Sequence, residues 1–186
     1  MSRFLSLRLA LCAGLAGFAL NSASVLSPSI GEAFAQAVGP NKSGLPLPRF
    51  VTLKSGRVNL RIGPGRDYPV DWMYLKSGLP VEVIQEFDNW RRIRDSEGTE
   101  GWINQSLLSG KRSGIAAPWF KGKEAMIPMR AQPAEDARLV ASIEPGAMGE
   151  IETCNGTWCQ MRFDSYKGWV PQNLLWGAYP NETFED

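Results

Sequence analysis

The feature that most constrains the fold of this chain is an internal repeat. Four blocks of sequence recur in the same order at offsets of 67 to 69 residues. They are 58–61 with 127–130, 82–84 with 149–151, 90–94 with 158–162, and 101–108 with 168–175. Self-similarity at a fixed period indicates a duplicated structural unit. We therefore expect two consecutive domains that share one fold.

Each copy of the repeat has the pattern of an all-β domain. Short β-branched and aromatic runs are separated by Gly, Pro, Asp and Asn, which is typical of strands joined by turns. Strands are predicted near 57–61, 70–75, 79–87, 90–95 and 101–104, and near 125–130, 138–143, 147–153, 158–163 and 168–171. No sustained helical period of apolar residues follows the N-terminal segment. The sequence therefore predicts two small β-barrels in tandem.

The first forty residues have the features of a signal peptide. Arg3 and Arg8 precede an apolar run over 9–20, which is shorter than the roughly 20 residues that span a membrane. Small residues predict cleavage before Val38, and an earlier cut near Ser24, an uncleaved anchor and lipidation are the alternatives. We expect a periplasmic or secreted protein without stable membrane insertion after cleavage.

Composition excludes several kinds of catalytic site. The chain contains no histidine, so Ser-His-Asp and Cys-His catalysis and zinc sites with a His ligand are impossible. Twenty basic residues balance nineteen acidic ones, and no basic stripe suggests a nucleic-acid partner. Carboxylate catalysis by Asp67, Asp71 or Asp88 would need a cleft, for which small filled barrels leave little room. We predict no catalytic residues, no metal and no cofactor.

Two cysteines remain once the predicted signal peptide is removed. Cys154 and Cys159 flank an Asn-Gly pair, which is a strong signal for a β-hairpin. Two cysteines facing each other across a hairpin lie within bonding range, and exported proteins retain disulfides. The sequence therefore predicts a structural Cys154–Cys159 disulfide rather than a redox pair.

The first copy resembles the bacterial SH3-like (SH3b) domains. The residues that carry the resemblance are Arg57-Val58-Asn59-Leu60-Arg61-Ile62-Gly63-Pro64-Gly65, Tyr68-Pro69, Gly78, Trp90 and Gly101-Trp102. The second copy, with Trp158-Cys159 and Gly168-Trp169, is similar but lacks the Gly-Pro-Gly turn. The pair resembles exported bacterial proteins with two SH3-like domains. The resemblance implies two SH3-like β-barrels that bind peptidoglycan or protein partners, as related domains attached to cell-wall hydrolases do.

The repeat and the resemblance together predict the domain boundaries. They are a signal peptide over 1–37, an N-terminal extension over 38–52, a first SH3-like domain over 53–108, a flexible linker over 109–117, a second SH3-like domain over 118–177, and a C-terminal tail over 178–186. The linker prediction rests on its Gly and Ser content.

Strand alternation selects candidate ligand-binding residues in the first copy. Side chains alternate between the faces of a strand, so Trp90, Arg92 and Arg94 share one face. We predict that Ile93 pairs with Ile103 in the neighbouring strand, which places Trp102 opposite Arg94. This gives the first barrel a surface of tryptophan and arginine side chains, on which a guanidinium can lie against a ring.

The second copy repeats this arrangement. Pairing of Met161 with Val170 places the side chains of the other face outward, and these are Trp158, Gln160, Arg162 and Trp169. Such aromatic surfaces suit sugar rings, proline or an extended peptide. The alternative for all four tryptophans of these surfaces is structural packing over an open barrel end.

Other residues have predicted roles in packing or in shaping a loop. Arg61 and Arg130 recur after the first strand of each copy, and we favour an ion pair of Arg61 with a nearby carboxylate over ligand binding. Trp119 and Trp176 break the repeat, which favours a role in domain–domain packing.

The sequence thus predicts a non-catalytic exported binding module, with peptidoglycan, as glycan or peptide, as its partner. The alternative is an envelope protein–protein adaptor that uses the same aromatic faces.

Overall fold

The computed structural model describes residues 43–185. The predicted signal peptide lies outside the described residues. The strands of the first domain are β1 (Arg49–Leu53), β2 (Val58–Arg61), β3 (Val70–Tyr74), β4 (Pro80–Phe87), β5 (Trp90–Arg94), β6 (Glu100–Asn104) and β7 (Leu108–Ser109). Those of the second domain are β8 (Ser113–Ala116), β9 (Ile127–Arg130), β10 (Leu139–Ile143), β11 (Met148–Asn155), β12 (Trp158–Phe163), β13 (Tyr166–Pro171), β14 (Leu175–Trp176) and β15 (Thr183–Glu185). Single turns of 3-10 helix occupy Gln105–Leu107, Pro118–Phe120 and Gln172–Leu174.

The two domains have the same topology. The first sheet has the strand order β3-β2-β6-β5-β4-β1-β7, and the second has β10-β9-β13-β12-β11-β8-β14. Each position in one order corresponds to the same position in the other, and β15 adds a further strand that pairs with β11. The structure confirms an all-β chain of two tandem SH3-like domains. Within residues 43–185, no helix is long and apolar enough to cross a membrane.

Alternating residues of the strands form a separate core in each domain. In β2, Val58 and Leu60 are fully buried, whereas Asn59 and Arg61 lie on the outer face. In β9, Ile127 and Met129 occupy the corresponding core positions. The core of the first domain also contains Val81, Val83, Ile93 and Ile103, and that of the second contains Ile151, Met161, Val170 and the cysteine pair.

The predicted pairing of β5 with β6 is wrong by two residues. Ile93 pairs with Gly101 rather than Ile103, and Trp102 lies opposite Arg92 rather than Arg94. In the second domain Met161 pairs with Gly168 rather than Val170. Because a shift of two residues preserves strand parity, the predicted division into inner and outer faces is still confirmed.

Close approach of strands explains why a glycine occupies this position in both domains. A Cβ atom on Gly101 would lie 2.5 Å from Leu60 Cγ and 2.9 Å from the Arg61 carbonyl oxygen. A Cβ atom on Gly168 would lie 2.5 Å from Met129 Cγ. A glycine at this position therefore lets β6 and β13 pass close to β2 and β9.

The register also buries an arginine that the hydrophobic pattern does not single out. Arg91 lies on the inner face, opposite Ile103, with only 5% of its surface exposed. Its guanidinium contacts the Glu86 carboxylate at 3.2 Å and donates hydrogen bonds to the carbonyl oxygens of Asp88 and Trp90. The charge is buried but paired, which is the condition under which proteins tolerate it.

The segments predicted as an N-terminal extension and a linker contain strands of the two sheets. Most of β1 lies in the predicted extension over 38–52, yet it pairs with β4 and β7. Within the predicted linker over 109–117, β8 pairs with β11 and β14. Arg112 lies just before β8 and forms an ion pair with Glu182 at 2.8 Å. This stretch of chain is therefore held by hydrogen bonds rather than being a free tether.

The predicted disulfide is confirmed. Cys154 in β11 and Cys159 in β12 lie directly opposite each other and are bonded. The hairpin between them turns at Gly156, where φ is +96°. The Asn155 side chain accepts hydrogen bonds from the backbone N–H groups of Thr157 and Trp158. The Asn-Gly pair therefore shapes the turn as the sequence predicts.

Candidate functional site

A polar cavity of about 360 Å³ lies on the outer face of the first domain beside Trp90. We call it the Trp90 cavity, and it is lined by Arg57, Asn59, Arg61, Arg66, Trp90, Asn104, Ser106 and Leu107. Its volume falls at the lower end of the range for small-molecule sites. Trp90 is only partly buried, so part of its side chain remains accessible to a ligand.

Three strands, the loops on either side of β2 and one turn of 3-10 helix supply the side chains of the Trp90 cavity. In β2, the core positions Val58 and Leu60 force Asn59 and Arg61 onto the outer face. Trp90 is the first residue of β5 and lies directly opposite Asn104 at the end of β6. The wall of the cavity is therefore set by the pairing of the sheet.

The loop after β2 is fastened by the residues that carry the SH3-like pattern. Arg61 donates a hydrogen bond from Nη1 to the Tyr68 carbonyl oxygen at 2.6 Å. The Tyr68 ring lies against Gly63, where a Cβ atom would be 2.3 Å from the ring. Arg66 lies in the same loop, between Gly63 and Tyr68 in the sequence, and lines the cavity. The glycine thus makes room for a tyrosine that shapes the loop.

The predicted ion pair of Arg61 with a nearby carboxylate is wrong, because no such pair occurs among residues 43–185. Within the described part of the chain, its hydrogen-bond partner is the Tyr68 carbonyl. Arg130 makes the equivalent bond in the second domain, donating to the Ala137 carbonyl oxygen at 2.8 Å. In each domain a single guanidinium nitrogen donates to a loop carbonyl oxygen, and this hydrogen bond fastens the loop.

The Trp90 cavity is positively charged. Arg57, Arg61 and Arg66 line it, and no carboxylate does. Among residues 43–185, none of these three arginines forms a salt bridge. The positive charge at this surface is therefore left for solvent or a ligand to neutralise.

The other predicted ligand-binding residues of the first domain differ in how available they are. Trp102 and Arg92 face each other on the outer surface, and Arg92 is paired with Glu100 at 2.8 Å. Arg94 lies on the same face but is held by the buried carboxylate of Glu82, with Nη2 and Oε2 2.6 Å apart. That contact raises the pKa of Arg94 above its ordinary value. Arg94 is consequently engaged within the protein.

The predicted stacking of arginine on tryptophan is not found in the part of the chain that the structure describes. The arginine–ring contacts there join Arg112 to Phe184, at 4.4 Å, and to Phe50. The outer arginines Arg92 and Arg94 have carboxylate partners instead. An ion pair with a carboxylate is stronger than the attraction between a guanidinium and an aromatic ring, so both arginines pair with glutamates.

The outer face of the second domain carries tryptophans together with basic residues that are paired with a carboxylate. Trp158 lies opposite Pro171, and Trp169 lies opposite Gln160, all on the outer face. Arg162 and Lys167 both contact the Glu152 carboxylate, the latter at 2.5 Å. Hydrogen bonds from Lys167 and then Arg162 lower the pKa of Glu152. The basic groups here are already neutralised by a carboxylate of the same domain.

Comparison with known proteins identifies the family. Residues 54–110 and 123–177 each match the bacterial SH3 domain family. The chain belongs to that family. A search of curated proteins found no match.

Solved structures similar to these two SH3 domains include three from larger proteins. They are NlpC2 of Trichomonas vaginalis (10% identity, TM-score 0.31), NlpC1 of the same organism (12%, 0.30) and an NlpC/P60 family protein of Bacillus cereus (10%, 0.30). The matches cover 69%, 72% and 69% of this chain and 48%, 47% and 56% of the respective proteins. The matched region thus spans about half the length of these proteins.

The two SH3 domains are joined by an aromatic contact that includes one of the predicted residues. Trp176 meets Phe50 edge to face with ring centroids 5.1 Å apart, and its Nε1 donates to the Pro80 carbonyl oxygen. The prediction of domain–domain packing is therefore confirmed for Trp176. It is wrong for Trp119, which is 46% exposed and contacts the ring of its neighbour Phe120.

The sequence did not predict Tyr179 or the hydrogen bonds that accompany this aromatic contact. Tyr179 packs on Phe50 with centroids 4.7 Å apart, and its hydroxyl donates to Glu82 at 2.8 Å. Burial and this carboxylate raise the pKa of Tyr179 above its ordinary value. Ser113 adds a hydrogen bond from its hydroxyl to the Gly78 carbonyl oxygen at 2.6 Å. Because Tyr179 and Phe50 lie outside the repeated blocks, the repeat gave no signal for them.

The side chains of the Trp90 cavity are suited to recognition. They offer an aromatic face, amides and guanidinium groups, which can hold a ligand by stacking and hydrogen bonding. Within residues 43–185, no group of three or more acidic or cysteine side chains is placed to hold a metal ion.

Proposed function

We propose that this protein is a non-catalytic, exported binding module that recognises cell-wall peptidoglycan, with the Trp90 cavity as its principal site. The observation that carries the proposal is the partly exposed Trp90 side chain in a polar cavity of about 360 Å³. An aromatic face bordered by amides and guanidinium groups fits a sugar ring or a short extended peptide, the two components of peptidoglycan. Membership of the bacterial SH3 domain family supports the same ligand class.

Export to the periplasm or beyond is part of the proposal. The Cys154–Cys159 disulfide supports it, because disulfides persist in oxidising compartments and are rare in the bacterial cytoplasm. The signal-peptide pattern of the first forty residues supports it independently. Fractionation of cells that express the protein, probed with an antibody to it, should find the chain outside the cytoplasm.

Co-sedimentation with purified peptidoglycan sacculi tests the ligand. We expect the wild-type protein to pellet with sacculi at low salt and the Trp90→Ala variant to bind about tenfold more weakly, because the exposed aromatic face is lost. Trp158→Ala is the matched control at the same strand position in the second domain, and it should weaken binding less. Wild-type protein that stays in the supernatant would rule out the proposed ligand.

An envelope protein–protein adaptor is the second candidate function. The observation that favours it is a set of exposed apolar side chains near the edge of the first sheet. Ile62, Val70 and Trp72 are 60%, 43% and 57% exposed, and β3 is the terminal strand in the order of the first sheet. Exposed apolar side chains on a strand edge are typical of contact with another protein. This candidate requires that crosslinking in cells trap one defined partner through Trp72 and that sacculi fail to bind.

A further inference from the structure

We infer that the Trp90 cavity selects an oxyanion on its ligand, and that this group is a free carboxylate of the peptidoglycan stem peptide. The inference rests on the proposed function and adds to it the chemical group that the site reads. Its basis is the charge of the cavity, the geometry of its donors and the contrast with the second domain.

The positive charge of the cavity is not balanced by any carboxylate among its lining residues. Arg57, Arg61 and Arg66 line one cavity, and within the described residues none of them has a carboxylate within salt-bridge distance. By contrast, both arginines on the outer face of β5, Arg92 and Arg94, are paired with a carboxylate. Three like charges around one cavity repel one another, and a bound anion would relieve that repulsion.

The donors are suited to an oxyanion. A guanidinium presents parallel N–H groups that match the two oxygens of a carboxylate. Arg61 uses one of its nitrogens on the Tyr68 carbonyl, which holds its side chain in place and leaves other donors for a ligand. Asn59 and Asn104 add amide groups at the same wall.

Trp90 provides a place for the uncharged part of the ligand. Its indole shares the cavity with the three arginines. A volume of about 360 Å³ accommodates a single amino-acid residue or sugar ring rather than a long polymer segment. A terminal residue with its carboxylate toward the arginines and its side chain against the indole would satisfy both halves of the cavity.

The second domain lacks this set of residues at equivalent positions. Trp158 and Arg130 correspond to Trp90 and Arg61. However, Met126 and Glu135 stand where the first domain has Arg57 and Arg66, and Pro171 replaces Asn104. The duplicated fold therefore does not require these basic residues, and Arg57 and Arg66 are particular to the first domain.

A sedimentation experiment with chemically modified sacculi tests the inference. One preparation is left native, a second has its carboxylates converted to amides with a carbodiimide and an amine, and a third is stripped of phosphate-containing wall polymers. We expect amidation to weaken binding of the wild-type protein about tenfold or more, and phosphate removal to leave it unchanged. Loss of binding on phosphate removal alone would assign the oxyanion to a phosphate and overturn the carboxylate source.

Arginine variants link the effect to this cavity. Arg57→Gln and Arg66→Gln should each weaken binding to native sacculi about tenfold and change binding to amidated sacculi little. Both side chains are exposed, so neither substitution should disturb folding, which circular dichroism checks. Arg138→Gln, at an exposed arginine of the second domain, is the matched control for the loss of one charge and should bind as the wild type does.

The inference and the proposed function fail in different ways. Equal binding of the wild-type protein to native and amidated sacculi would overturn the inference and leave the proposed function standing. Absence of binding to all three preparations would overturn both. A stem tripeptide with a free carboxylate, titrated by NMR against its amide, tests the cavity without the polymer. Equal affinity for the two peptides would again contradict the inference.

Discussion

The residue pair beside one hairpin turn is linked by a disulfide in the second domain, whereas the equivalent pair in the first domain is a buried ion pair. Cys154 and Cys159 lie opposite each other in β11 and β12, directly before and after the hairpin turn. Glu86 and Arg91 occupy the equivalent pair in β4 and β5 and are also opposite each other. Their charged atoms lie 3.2 Å apart, with 2% and 6% of the two side chains exposed.

The disulfide and the ion pair differ in how many other residues each one requires. The disulfide needs only its two cysteines. The Glu86 carboxylate also accepts hydrogen bonds from Arg49 at 2.8 Å and from the Ser43 hydroxyl at 2.6 Å. Arg91 donates a further hydrogen bond to the Gln105 side chain at 2.5 Å. A buried charge pair is stable only when its remaining donors and acceptors are satisfied, so the first domain depends on distant segments for its hairpin.

Removal of one partner of the ion pair should have the largest effect. In Glu86→Ala the Arg91 guanidinium remains buried without its carboxylate, and we expect the free energy of unfolding of the first domain to fall by about 3 kcal/mol. Amide hydrogen exchange at Ile93 and Ile103 measures the loss in that domain. Glu150→Ala, at an exposed glutamate of the second domain, is the control. Equal exchange in the two variants would mean that the ion pair does not stabilise the hairpin.

Removal of the disulfide should have a smaller effect in the other domain. The bond closes a loop of only five residues of separation, for which chain entropy gives about 2 kcal/mol. We expect the Cys154→Ala, Cys159→Ala double variant to lose that amount, with faster hydrogen exchange at Met161 and Val170. Exchange at Ile93 should be unchanged. A larger loss than that of Glu86→Ala would reverse the comparison.

The contact between the domains should respond more weakly still. Tyr179→Phe removes the hydroxyl that donates to Glu82, while Arg94 continues to pair with that carboxylate. We expect the free energy of unfolding to fall by about 1 kcal/mol, as is usual for one hydrogen bond. Urea unfolding measures it. An unchanged midpoint would show that solvent replaces the tyrosine without cost.

The smallest effect should be a difference between the two hairpins in how their stability depends on acidic pH. Burial alone would raise the pKa of Glu86, but hydrogen bonds from Ser43 and Arg49 and the charge of Arg91 outweigh it and hold the pKa below the ordinary value of 4.5. The carboxylate therefore stabilises the fold above pH 4.5, and this contribution is lost as the pH falls through the lowered pKa.

Glu86→Gln should flatten this part of the pH profile of the first domain. Urea unfolding at a series of pH values checks it, with hydrogen exchange assigning the change to Ile93. The cysteine pair does not titrate, so it adds no such slope in the second domain. A profile of Glu86→Gln as steep as that of the wild type would contradict this role.

Strand parity could be read from the sequence, whereas the register could not. Alternation around Ile93 and Met161 assigned the inner and outer faces correctly because it is a local property of each strand. Pairing partners were misplaced by two residues because that shift leaves every side chain on its face. Gly101 contained the missing information, since a glycine opposite a core isoleucine marks the close approach of another strand.

The same limits explain what was missed at the Trp90 cavity and at the hairpins. Trp90 follows from alternation, but Arg57 and Arg66 lie in the loops before and after β2 and line the cavity only through the conformations of those loops. The repeat aligned 82–84 with 149–151, whereas strand pairing aligns Val83 with Ile151. That difference of one residue concealed the correspondence of Glu86 with Cys154.

The contact of Phe50 with Trp176 and Tyr179 has a consequence for any extended polymer that meets both domains. Domains on a loose tether can adjust their separation to successive subunits of a chain. Here, the aromatic contact and the Glu82 hydrogen bond hold the two domains together, which limits how far the outer tryptophans can move relative to each other. Simultaneous engagement would then favour polymers whose repeat distance matches the spacing of those tryptophans.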